Sequence, residues 1–84
     1  MVIKVTSIEW DSSTYIRVAT TVDEGFCDVI AIRYYARVNH AWVRRFRLYP
    51  LTDGVSTHPE YKKIRAEIVD AINKWLGPEK SSYA

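Results

Sequence analysis

Asp28 to Tyr49 reads DVIAIRYYARV, NHA, WVRRFRLY: two runs of β-branched and aromatic residues parted by a short polar turn. This is the pattern of a β-hairpin. The stretch carries Arg33, Arg37, Arg44, Arg45 and Arg47, three tyrosines, a tryptophan and a phenylalanine, and after Asp28 no acidic residue before Leu51. If Asn39-His40-Ala41 is a three-residue loop, Val38 meets Trp42, Tyr34 meets Phe46 and Ile32 meets Leu48 on an inner face. That register turns Arg33, Tyr35, Arg37, Arg45, Arg47 and Tyr49 outward. It also sets Arg33 opposite Arg47 and points Arg44 inward, where it can snorkel past Trp42. A two-residue Asn39-His40 turn would slip the pairing by one and split these groups between the two faces.

Working outward, Asp23-Glu24-Gly25 fits a three-residue hairpin loop with glycine as its left-handed residue. Val22 then faces Phe26, Val18 faces Ile30 and Ile16 faces Ile32 inside, while Tyr15 and Arg17 join the outer face opposite Arg33 and Ala31. Thr14 to Val22 alternates cleanly enough for a half-buried strand. Val2 to Trp10 has Ile3 and Val5 in one phase and Ile8 and Trp10 in the other, which predicts an edge strand bulged near Thr6 and Ser7. Asp11-Ser12-Ser13 is turn chemistry.

Downstream, Pro50 stops the last strand and a loop follows with a turn at Asp53-Gly54. Thr57 with Glu60 three residues later reads as a capping box, with Pro59 in the first turn and Gly77-Pro78 as the stop. Tyr61, Ile64, Ile68, Ala71, Ile72, Trp75 and Leu76 recur at helical spacing as one apolar stripe. Lys63 with Glu67 and Asp70 with Lys74 are spaced for self-pairing on the solvated side. About 18 helical residues span about 27 Å, close to the about 30 Å of a nine-residue strand. The expectation is an α+β fold, ββββα: a four-stranded antiparallel β-meander with one C-terminal α-helix packed on one face. Residues 1–78 form one domain and 79–84 a flexible tail.

Composition narrows the function classes. The chain has 84 residues, 48% hydrophobic and 26% charged, which is ordinary for a single globular domain. Its net charge of +2 names no partner without local clustering. One cysteine, Cys27, permits no internal disulfide and no four-cysteine zinc site, and no segment has the roughly 20 apolar residues of a membrane span. The expected location is the cytoplasm. His40, His58, Cys27, Ser12 and Ser13 fall in no metal-ligand or nucleophile pattern, so neither an enzyme, a cofactor nor a metal is expected. Trp10, Trp42 and Trp75 read as core or rim packing.

With a single helix available, the other face of the sheet must meet water or a partner. The residues expected there are Tyr15, Arg17, Arg33, Tyr35, Arg37, Arg45, Arg47 and Tyr49. Guanidinium groups are bidentate donors for phosphate, and tyrosine rings are stacking surfaces for unpaired bases. The expectation is a non-enzymatic module holding a polyanion, nucleic acid before other ligands. The alternative is a protein partner: a homodimer through the sheet face, or docking on another protein by a small inhibitor encoded by a mobile element. Three strands followed by a helix over Thr14 to Leu76, with Trp42-Val43-Arg44-Arg45-Phe46 just before the helix, resemble in topology the ethylene-response-type DNA-binding domains of plants and the arm-binding domains of tyrosine integrases. That resemblance implies a DNA-reading sheet. The extra N-terminal strand and the missing glycine and acidic punctuation depart from both families.

Overall fold

A computed structural model describes residues 1–52 and 57–78. The expected turn at Asp53-Gly54 and the expected tail from Glu79 to Ala84 lie outside them. The elements run β1 (Ile3–Trp10), β2 (Tyr15–Val22), β3 (Gly25–Phe26), β4 (Val29–Val38), β5 (Ala41–Pro50) and α1 (Tyr61–Leu76). The sheet order is β1-β2-β4-β5, all antiparallel, with the two-residue β3 pairing the end of β2. This is the expected ββββα plan with one small addition.

The core lies between one side of this sheet and α1. Ile16 and Val18 of β2, Val29 and Ala31 of β4, Phe46 of β5, Cys27 and the helix residues Ile64, Ile68 and Ile72 form its buried cluster. Ile3, Val5, Ile8, Leu48, Tyr61 and Leu76 pack around it. The bulge in β1 is where the two phases of its apolar residues placed it: the register shifts between Val5 and Ser7, and Thr6 donates its hydroxyl to the Ala19 carbonyl at 3.1 Å. The extra residue brings Ile3, Val5, Ile8 and Trp10 to one side of the sheet despite their mismatched spacing.

Both hairpins depart from the expected register, and for the same reason. Val22 pairs with Gly25 and Val38 with Ala41, so each loop has two residues. Those residues, Asp23 (φ 49°), Glu24 (φ 69°), Asn39 (φ 51°) and His40 (φ 67°), all have positive φ. Two successive left-handed residues make the type I′ turn, whose twist suits the strands it joins. Gly25, expected to be the left-handed residue, is instead the first residue of β3.

Each slip is one residue, and together they act on β4 alone. Tyr15 pairs with Ile32 and Ile16 with Ala31, while Ile32 pairs with Arg47 and Arg33 with Phe46. β2 and β5 keep their expected faces. β4 is turned over: Val29, Ala31, Arg33, Tyr35 and Arg37 share the helix side, and Ile30, Ile32, Tyr34, Ala36 and Val38 share the open side. The expected clash of Arg33 with Arg47 disappears in this register.

The helix starts later than expected. Tyr61 is its first residue and Glu60 its N-cap, with no side-chain cap at that position. Pro59 disfavours helical backbone at His58, so Thr57 cannot open the helix. The His58 Nδ1 accepts the Glu60 N–H at 3.0 Å. Lys63 pairs with Glu60 at 3.4 Å instead of with Glu67, while the Asp70–Lys74 pair forms at 3.2 Å. Gly77, with φ 81°, ends the helix as expected.

Two substitutions test this architecture. His40→Gly creates Asn-Gly, the residue pair best suited to a type I′ turn, and should raise the unfolding free energy in urea by about 1 kcal/mol. Thr20 is 1% exposed and its hydroxyl has no hydrogen-bond partner among the described residues, so Thr20→Val should also stabilise by about 1 kcal/mol. A loss of stability in the first variant would contradict the left-handed assignment of residue 40, and a loss in the second would mean that the hydroxyl is bonded in solution.

Candidate functional site

The open face of the sheet is built in rows of cross-strand neighbours. Tyr15, Ile32 and Arg47 make one row, Arg17, Ile30 and Tyr49 the next, and Tyr34 with Arg45 a third. Side chains directly opposite in such a ladder stand about 5 Å apart. The result is two half-buried isoleucines ringed by three tyrosines and three arginines. Tyr15, Tyr34 and Tyr49 are 43%, 40% and 47% exposed, so each ring offers a surface to a ligand. The Arg47 guanidinium lies over Tyr34, 5.7 Å from the ring centre, within cation–π reach.

Five of the eight expected site residues therefore share this face: Tyr15, Arg17, Arg45, Arg47 and Tyr49. Arg33, Tyr35 and Arg37 do not; the reversal of β4 puts them on the helix side. Ile30, Ile32 and Tyr34 stand on the open face in their place. The signal that could have found them was Asn39-His40, since asparagine leading a two-residue loop is a hairpin turn in its own right.

Positive charge predominates on this face. Among the described residues the ion pairs are Lys63–Glu60 and Lys74–Asp70, both at the helix. β4 and β5 contain no carboxylate at all. The one acid that faces these arginines across a strand pair is Glu9 of β1, opposite Arg17.

On the helix side the arginines are committed to aromatic rings and to the helix itself. Arg33 lies 5.5 Å from the centre of the Trp10 ring and 5.9 Å from that of Tyr35, and Arg37 lies 5.9 Å from Trp42. Trp10 in turn packs against Trp75 at 5.7 Å. Arg44, expected to point inward, does so: it donates to the Asn73 Oδ1 from Nε at 3.3 Å and Nη2 at 3.0 Å, and to the Gly77 carbonyl at 2.8 Å. A guanidinium at the last turn satisfies a carbonyl left open there and complements the helix dipole.

β4 and β5 outrun the rest of the sheet. The last β2 partner of β4 is Ile32, across from Tyr15, with one further bond from the Arg33 N–H to the Thr14 carbonyl. Tyr34 to Arg45 is consequently a two-stranded ribbon, and the chain is 41 Å long against 24 and 18 Å in its other dimensions. Arg65 donates to the Phe46 carbonyl at 3.1 Å, tying the free edge of β5 to the helix where the ribbon begins.

The other polar candidates have structural work. The Ser12 hydroxyl accepts the Tyr15 N–H at 3.3 Å in the β1–β2 turn. His58 serves the helix start and His40 the β4–β5 turn. Among the described residues no group of three His, Cys, Asp or Glu side chains could hold a metal ion, and no helix is long and apolar enough to cross a membrane. Cys27 is 3% exposed; burial, aided by the negative charge of Asp28, pushes its thiol above the ordinary range.

Two outcomes follow. Arg44→Met should lower stability by about 1–3 kcal/mol, read by urea denaturation, because it strips partners from Asn73 and the last helical carbonyls. Cys27 should react with iodoacetamide only at the rate of unfolding. Because its folded pKa lies above the unfolded one, its contribution is intact below the unfolded value, and stability should fall as pH climbs from there toward the folded value. Cys27→Ala should remove that alkaline decline.

Comparison with known proteins adds no relative to this geometry: no family model, curated protein or solved structure matches the chain.

Proposed function

We propose that the open face of the sheet is a binding surface for a polyanion, and that the ligand is single-stranded nucleic acid. The observation that carries this is the ring of Tyr15, Tyr34, Tyr49, Arg17, Arg45 and Arg47 on one uncovered surface whose two long strands contain no carboxylate. Base–aromatic stacking needs exposed rings on a fixed platform, and phosphates need donors free of internal acids, as Arg45 and Arg47 are within β4 and β5 and as Arg17, opposite Glu9, is not. The three rings stand on three different strands. Strand geometry separates them by about 8 to 14 Å, which suits bases one or two nucleotides apart.

Binding of this kind is dominated by backbone phosphates and weakly selective for sequence. A single strand is favoured over a duplex because the face is broad and its aromatic rings are spread across it, whereas a base pair inside a helix offers no free ring face. The reading names a binding module that needs no cofactor.

A second reading has an observation of its own. Ile30 and Ile32 at the centre and Phe26, 78% exposed on the same face, suit an apolar contact with another protein, a second copy of the chain above all. Sedimentation separates the two: a salt-insensitive dimer abolished by Phe26→Asp would favour that interface.

Fluorescence anisotropy of a labelled oligonucleotide, titrated against salt, tests the main proposal. The affinity should fall steeply with salt, and the double change Arg45→Ala with Arg47→Ala should flatten the slope by about 1.4, or about 0.7 per phosphate contact. Tyr34→Ala should cost about 1–3 kcal/mol of binding, with an unchanged circular dichroism spectrum. Affinity that ignores salt would refute the phosphate contacts.

A further inference from the structure

The ribbon formed by Tyr34 to Arg45 has a second surface that the open-face site does not use. On its helix side Arg37 and Trp42 stand directly opposite each other, and the guanidinium lies 5.9 Å from the centre of the indole. Both are exposed, Trp42 by 46%. Among the described residues it is Arg44 that hydrogen-bonds to the helix end, and Trp42 stands two residues further along the ribbon. An indole stacked with a guanidinium joins, in one place, the two groups that single-strand recognition uses, a base platform and a phosphate donor.

The two surfaces are continuous. Trp42, Arg44, Arg45 and Arg47 are all on β5, and alternate residues of a strand point to opposite faces, so Arg45 on the open side and Trp42 on the helix side flank the same free edge. No carboxylate of β4 or β5 interrupts the way between them. A sheet with its side chains is about 10 Å thick, a distance that a chain of nucleotides rounds at the free edge in about two units.

We infer that a single strand held on the open face continues over the free edge of β5 and places a further base on Trp42, with its phosphate on Arg37. This rests on the open-face reading and enlarges it: the ribbon is gripped on two sides, and the occluded length grows from about three nucleotides to about six, within the usual range for such modules. Of the two arginines, Arg33 and Arg37, that the reversed β4 took from the open face, Arg37 thus returns to the ligand round the edge.

Tryptophan emission isolates this claim. Trp10, Trp42 and Trp75 are the three tryptophans of the chain, and none stands on the open face. Unlabelled oligo-dT of twelve nucleotides should therefore quench emission on binding, and Trp42→Phe, which keeps a ring for stacking, should abolish the quench while binding persists by anisotropy of a labelled copy. Arg37→Ala should weaken the same oligonucleotide about tenfold. Binding with no quench, or a quench unchanged in Trp42→Phe, would overturn the inference and leave the open-face site intact. Failure of any oligonucleotide to bind would remove both.

Discussion

Two pairs of left-handed residues, Asp23-Glu24 and Asn39-His40, decide what this molecule shows to its surroundings. A β-strand has a period of two, so a turn that is one residue shorter rotates the next strand by half a turn about its axis. Here both turns beside β4 are short. The effects cancel for β5 and leave β4 reversed between two neighbours in their expected orientation. Left-handed backbone at Glu24 and His40 is costly for residues with a Cβ, yet the twist of a two-residue turn matches the strands it joins, and that match prevails over the residue preferences.

The reversal sets the thickness of the core. With Val29 and Ala31 beneath the helix, small side chains line the middle of the sheet, and both are essentially inaccessible. Ile64, Ile68 and Ile72 fill the space from the helix side. The same choice leaves Ile30 and Ile32 half-buried on the uncovered face, an arrangement that sacrifices some apolar burial. Arg44 then locks the end of the helix to β5, so that the long axis of the lid is fixed relative to the ribbon.

Much of the architecture was legible in the residues, because in most elements local signals agree. The mismatched phases of Ile3-Val5 and Ile8-Trp10 admit no regular strand, so a bulge was required. Gly77-Pro78 can hardly continue a helix. β4 was different: its odd positions begin Val29, Ala31 and its even positions Ile30, Ile32, so hydrophobicity runs along both faces and cannot choose between them. The choice lay in turn handedness, and there Gly25 offered a plausible but unused left-handed position. Three of the eight residues expected on the open face were turned away by that single strand, while the five expected there from β2 and β5 do face that way. The helix start was hidden likewise, since a capping-box pattern at Thr57 outweighed the constraint that Pro59 imposes on the residue before it.

The ribbon from Tyr34 to Arg45 has one more consequence. Among the described residues it has no third strand, and toward its tip, beyond the tie from Arg44 to the helix end, it rests mainly on paired amides and exposed rings. Regions built in this way open on their own, at a lower free energy than the domain that carries them. Its amide protons should then escape into solvent while those beneath the helix stay protected, and any ligand that clasps it must first still a part of the molecule that breathes.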